Sequence, residues 1–190
     1  KESTKDVDLL IPSLEEYELL VKTLKKLGYV RKTADSYGLP GNLWRFDLFR
    51  GNTIFQTELL DPVQDEGHHR QIKKFNHITL NCITPVDLII SKMFRGYGVD
   101  VEDCMTLLTK ESVDFELLAS RYKETADYYI QPQKCKFNFQ LLIDELDRAE
   151  REQRLVAIVR QSRQAARLVD DLLVMARIDN HAANHPANPA

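Results

Sequence analysis

The run Asp6–Ile11 (DVDLLI) alternates in part and stops at Pro12, which predicts a strand. Ser13-Leu-Glu-Glu16 is a capping-box pattern: the Ser13 hydroxyl can accept from the N3 amide while Glu16 reaches back. Leu14, Tyr17, Leu20, Val21, Leu24 and Leu27 follow at helical spacing, and Gly28 suits the residue after a helix end. Tyr29–Thr33 begins another strand. Two glycines and a proline make 34–42 a loop. In Leu43–Phe49 (LWRFDLF), Trp44, Phe46 and Leu48 fall on one face and are expected in the core. Arg45, Asp47 and Phe49 fall on the other. Gly51-Asn52 reads as a turn into a strand over 53–60, forming a hairpin. The polar stretch 61–74 reads as a loop, and His77–Ile83 as a strand with Cys82 in the core.

Thr84-Pro85 starts a helix as N-cap and N1, and that helix ends near Gly96. Short helices are expected over 101–109 and 115–122, with 128–136 irregular. From Phe137 the pattern is helical as far as Ile178. Within it Leu155, Ile158, Val159, Ser162, Ala165 and Ala166 open a seam at 3- and 4-residue steps. Val169, Leu172, Leu173 and Ala176 continue it. That seam needs a partner surface, either the body or a second copy. His181–Ala190 has no periodicity and reads as a disordered end. Strands and helices in this order predict an α/β (α+β) fold: a mixed sheet flanked by helices, followed by C-terminal helices.

Composition divides the chain again. All 13 lysines lie between Lys1 and Lys136, no aromatic follows Phe139, and nine of twelve alanines lie at or beyond Ala149. We therefore expect domains at 1–110 and 111–147, an Ala/Arg-rich helix at 148–180 and a tail at 181–190. The change suits one long terminal helix or a segment of separate origin. A net charge of −3 over 190 residues excludes a generic polycation but not a local basic patch. No apolar run reaches the roughly 18–20 residues of a membrane span. Three cysteines without CxxC spacing read as reduced thiols of a cytoplasmic protein.

The chemistry lies in Asp6, Asp8 and Asp47. Aspartates at i and i+2 of a strand share a face, with Cβ atoms roughly 6–7 Å apart. An aspartate on a neighbouring strand can converge on them. Clustered carboxylates repel unless cations intervene, and hard divalent ions prefer their oxygens. Two ions about 3.5–4 Å apart could clamp an in-line phosphoryl displacement. His68-His69 near Asp61, Asp65 and Glu66 invites a zinc reading. Adjacent residues diverge and no third ligand is evident, so a polar loop is expected. His69, Arg70 and Lys73-Lys74 form a small basic run, also expected to be a solvated loop.

Thr4–Leu9, Arg45–Leu48, Ile83–Lys92 and Asp100–Asp103 together resemble the nucleotidyltransferase superfamily, in particular its small prokaryotic members related to abortive-infection and toxin–antitoxin proteins. The resemblance covers about residues 1–110. It implies that Asp6 and Asp8 are metal ligands and that Asp47 is a third ligand and catalytic base. It implies nucleotide-binding roles for Lys92, Asp100 and Asp103, and Mg²⁺ or Mn²⁺ as cofactor. The partners implied are an NTP and an acceptor hydroxyl on RNA, protein or a small molecule. The family pattern also carries a Gly-Ser or Gly-Gly turn about ten residues before Asp-x-Asp, at a helix N-terminus that holds the triphosphate. The five residues before Asp6 hold no such turn. The alternative is thus a catalytically inactive binding or regulatory module that assembles through its C-terminal helices. Separately, Arg167–Asp179 resembles the second dimerisation helix of sensor histidine kinases. It implies helix pairing, with residues 148–178 as a homo-oligomer contact, and no kinase activity.

Overall fold

The computed structural model describes the backbone of residues 5–184 and the side chains of residues 5–164 and Arg167. The chain divides into two compact units, Lys1–Leu142 and Ile143–Ala190. It is a mixed α/β protein. In the first unit, β1 (Asp6–Ile11), β2 (Val30–Arg31), β3 (Ser36–Gly38) and β4 (Arg45–Arg50) form one sheet in the order β1-β4-β3-β2. β1 and β4 run parallel and the other pairs antiparallel.

Helix α1 (Leu14–Lys26) makes the connection that a parallel pair requires. The Ser13 hydroxyl accepts from the Glu16 amide at 3.4 Å. The exit is a Schellman turn: Gly28 N–H donates to Lys25 O, Tyr29 N–H donates to Leu24 O, and Gly28 has φ +87°. Replacing Ser13 by alanine should lower stability by about 1 kcal/mol and by glycine only a few tenths, read from urea melts. α1 buries Leu24 against one sheet face, where Tyr37 and Leu48 are buried and Leu9, Ile11 and Phe46 pack around them. Leu10 and Phe49 lie on the opposite face, with Ile54, Leu59, Val63 and Ile83.

Several expectations need correction. β3 lies inside the stretch read as a loop; its Gly38 Cβ position is crowded by the Trp44 carbonyl, so glycine there marks close strand approach. Trp44 is exposed just before β4 rather than in the core. The stretch 53–60 is not one strand paired to β4. It is a separate small hairpin of β5 (Thr53–Ile54) and β6 (Thr57–Glu58). The polar stretch 61–74 contains β7 (His69–Lys74), paired with β8 (Thr79–Ile83), and Cys82 on β8 is exposed. Both faces of that hairpin are largely solvated, so no apolar alternation announces it.

α2 (Pro85–Arg95) begins at Thr84, whose hydroxyl accepts from the Asp87 amide, and ends at left-handed Gly96. A Cβ on Gly96 would lie 2.1 Å from Asn138 Nδ2, the group that donates to Met93 O. α3 (Gly98–Lys110) and α4 (Phe115–Asp127) follow, both longer than the spacing suggested. α5 (Pro132–Asn184) starts inside the stretch read as irregular and extends past residue 181. The described backbone of 181–184 is therefore helical, and 185–190 lie outside the described residues. A second core holds Ile89, Met93 and Phe94 of α2 with Leu118 and Tyr122 of α4. Tyr122 stacks on Phe139 and donates its hydroxyl to Cys135 O at 2.7 Å, so residues 132–142 of α5 belong to this core.

Residues 143–184, the described part of the second unit, are helix. Leu155, Val156, Ile158 and Val159 are exposed along it. From Ala165 onward the seam read from the sequence lies outside the described side chains, as does the kinase-like stretch apart from Arg167. Among the described residues, no helix is long and apolar enough to cross a membrane.

Candidate functional site

The register between β1 and β4 decides which side chains meet. Asp8 pairs with Asp47 and Asp6 with Arg45; on the next strand Ser36 pairs with Asp47. Register partners on neighbouring strands share a face, about 4.8 Å apart. Asp6, Asp8 and Asp47 therefore lie on one face, the one carrying Leu10 and Phe49. The opposite face is committed to α1.

The three carboxylates are held differently. Asp6 Oδ2 accepts from Arg45 Nη2 at 3.0 Å. Asp47 accepts from the Ser36 hydroxyl, and Arg45 Nε lies 3.8 Å from its Oδ1. Asp8 is open to solvent along β1. Its carboxyl is pushed above the ordinary aspartate value, first by partial desolvation and then by the charges of Asp47 and Asp6. Arg95 and Lys92 pull it the other way, so both cations act on this patch.

α2 and α3 build the cationic side. Asp100 is fully buried. Arg95 donates to both its oxygens, from Nε to Oδ2 at 3.0 Å and from Nη2 to Oδ1, and the Tyr97 amide donates to Oδ2 at 3.0 Å. Burial alone would raise the Asp100 pKa. The Arg95 and Tyr97 hydrogen bonds outweigh it and hold the carboxyl below the ordinary aspartate value. The Arg95 guanidinium lies 4.3 Å from the Phe55 ring centre and is fixed as a cation by Asp100. Lys92 Nζ is 2.8 Å from Asp103 and 3.9 Å from Asp100. Asp103 itself is exposed.

The structure thus brings Asp6, Asp8 and Asp47 onto one face and gathers Lys92, Asp100 and Asp103 into one ion-pair network. Asp100 serves that network as the buried anchor of Arg95. Arg95 escaped the sequence reading. Its signal was available: it stands three residues after Lys92, on the same helix face, and five before Asp100.

A second cluster was also missed. Asp87, buried, accepts from the Thr84 hydroxyl at 2.7 Å and has Arg121 Nη2 2.9 Å from Oδ1. Arg121 also donates to Asp61 at 2.9 Å. His68 Nδ1 lies 3.9 Å from Asp87 and 4.0 Å from Asp61. His68 stays in the loop before β7, half-buried. Arg121 of α4 ties Asp61, in the segment before β7, to Asp87 of α2.

The donor chemistry of the aspartate face suits a hard cation. Mg²⁺ is commonly held by one or two carboxylates plus substrate phosphates, and adjacent Asp8 and Asp47 supply two. Among the described residues, no three His, Cys, Asp or Glu groups surround one point closely enough to form an all-protein metal cage.

No family model, no curated protein and no solved structure matches this chain.

Proposed function

We propose that the first unit is a nucleotidyltransferase, moving a nucleoside monophosphate from an NTP to a hydroxyl acceptor. The observation that carries this reading is the in-register pairing of Asp8 with Asp47, two residues from Asp6, within the field of Lys92 and Arg95. Asp8 and Asp47, with Asp6 once released from Arg45, would hold Mg²⁺ or Mn²⁺. When bound, the ion would supply charge neutralisation at the phosphates. Asp47 takes the proton from the acceptor hydroxyl. The acceptor oxygen bonds the α-phosphorus, the bond from that phosphorus to the bridging oxygen breaks, and pyrophosphate leaves with the bonding pair. Lys92 and Arg95 stabilise charge on the phosphate oxygens. Asp100 and Asp103 hold those cations in place. We assign this activity to the cytoplasm, where NTP is abundant and the free thiols of Cys82, Cys104 and Cys135 stay reduced.

A second reading is a catalytically silent module related to toxin–antitoxin components. Two observations favour it: Arg45 already neutralises Asp6, and the apolar side chains of residues 155–159 are left uncovered. Isothermal titration of the full chain with each NTP, with and without Mg²⁺, separates the two. Binding of at least one NTP that requires the metal is expected. No metal-dependent binding of any NTP, together with a multimeric mass by light scattering, would sink the enzyme and favour the module.

A further inference from the structure

Nine of the eleven strand residues of the β7–β8 hairpin are exposed. A two-stranded ribbon is marginal in water without cover. Here only the ends of the strands, His69 and Ile83, are partly buried. Ile72, Phe75, Ile78 and Leu80 are exposed between 41% and 65%. A partner surface is therefore implied, and charge limits its kind. From Gly67 to Val86 there is no Asp or Glu, while Arg70, Lys73 and Lys74 are present with three histidines. Lys73 Nζ sits 5.0 Å from the centre of the Phe75 ring.

The exposed apolar groups do not form an unbroken run along the chain. They are interleaved with Gln71, Asn76, Thr79 and Asn81, which both donate and accept hydrogen bonds. Cations for phosphates, planar rings for bases, and amides and a hydroxyl for base edges and ribose hydroxyls together match a single RNA strand. Position adds the rest. His69 Nδ1 lies 2.9 Å from the Val63 carbonyl, and Ile83 packs in the cluster that contains Leu10 and Phe49. Leu10 and Phe49 follow Asp8 and Asp47 by two residues on the same sheet face. The hairpin is thus rooted beside the carboxylates.

We propose that the β7–β8 hairpin docks single-stranded RNA. On the nucleotidyl-transfer reading, which this extension rests on, that RNA is the acceptor, led to the Asp8–Asp47 face. The test is fluorescence anisotropy of the full chain with a labelled mixed-sequence 20-nucleotide RNA, without NTP or metal. Engagement of Arg70, Lys73 and Lys74 gives a slope of log affinity against log salt of about −2. R70Q/K73Q/K74Q should bind at least tenfold more weakly and flatten the slope. Phe75→Ala should cost about tenfold with the slope unchanged. Circular dichroism establishes that each variant is folded, and K73Q/K74Q serves if the triple variant is not. An unchanged affinity in the folded glutamine variants would overturn the proposal. So would equal affinity for the deoxy strand, or binding to phosphatidylserine vesicles in place of RNA. A chain that binds NTP but no RNA would overturn the hairpin assignment and leave the nucleotidyl-transfer reading standing.

Discussion

Asp8→Asn is expected to remove metal-dependent NTP binding by about 100-fold or more without lowering the melting temperature. Both halves follow from one geometry. Asp8 faces Asp47 across the β1–β4 ladder, with Asp6 two residues away. Its pKa is raised, so the folded chain binds the Asp8 proton more tightly than the unfolded chain does. The sign of the linkage is then fixed. The favourable contribution is complete below the unfolded value of 3.8 and is lost as pH rises through the higher folded value. At neutral pH the ionised carboxylate is a small liability, limited by its solvent exposure. Asparagine keeps the shape and removes the charge. The parent should also gain melting temperature when Mg²⁺ and NTP are added, by the linkage RT ln(1 + [L]/Kd), while Asp8→Asn should not. A calorimetric scan of both proteins with and without Mg²⁺ and NTP reads this directly. A variant that binds metal and nucleotide like the parent would remove Asp8 from the site. A variant that simply unfolds would show the carboxylate to be structural.

How much of this could be read from the sequence depends on the range of each interaction. α1 and α2 were legible because their caps are local: Ser13 with Glu16, Thr84 with Asp87, and the glycines that close each end. β1 and β4 were legible from their alternation. Their register was not, because Asp8 and Asp47 stand 39 positions apart in the sequence, and no local pattern encodes their pairing. The shared face of Asp6 and Asp8 followed from their i, i+2 spacing on a strand, and Asp47 could be expected to converge from a neighbour, but the geometry of their holding was not legible. Arg45 on Asp6 and Ser36 on Asp47 are cross-strand contacts set by that register. β7 was illegible for another reason. A strand exposed on both faces carries no apolar period, so its polarity reads as loop. The same absence of burial makes it available to a partner.

The contrast between the two cation clusters is also one of range. Arg95 and Asp100 are five residues apart, and their pairing closes the turn between α2 and α3. Arg121 reaches Asp61 across 60 residues, and Asp87 and His68 join from two further segments. The first network is local and sits within the field of Asp8. The second fastens elements that are distant in sequence, so no spacing could have exposed it. Chemistry in the candidate site is thus carried by short-range pairs mounted on a long-range register.

Asp100→Ala should be among the most destabilising single changes in the first unit, at about 3–5 kcal/mol. The side chain is fully buried, and its removal leaves the Arg95 guanidinium between Phe55 and Tyr97 without its carboxylate. It also leaves the Tyr97 amide without its acceptor at the first turn of α3. For a chain of this size each kcal/mol shifts the melting temperature by roughly 2–4 °C, so a fall of about 10 °C is expected. The pH dependence runs opposite to that of Asp8. The pKa of Asp100 is lowered, so its contribution is present above the unfolded value of 3.8 and is lost as pH falls through the lower folded value. The parent should therefore weaken in acid partly through this group, and Asp100→Ala should show a smaller acid-induced loss. Urea melts at pH 7 and at pH 3 read both quantities. Arg95→Gln makes the cause separable. If the cost in Asp100→Ala is the unpaired cation, the double variant with Arg95→Gln should recover part of the stability, through a coupling of at least 1 kcal/mol. Strict additivity would show that the two side chains stabilise the turn independently, and Arg95 would then lose its role as a cation positioned by Asp100.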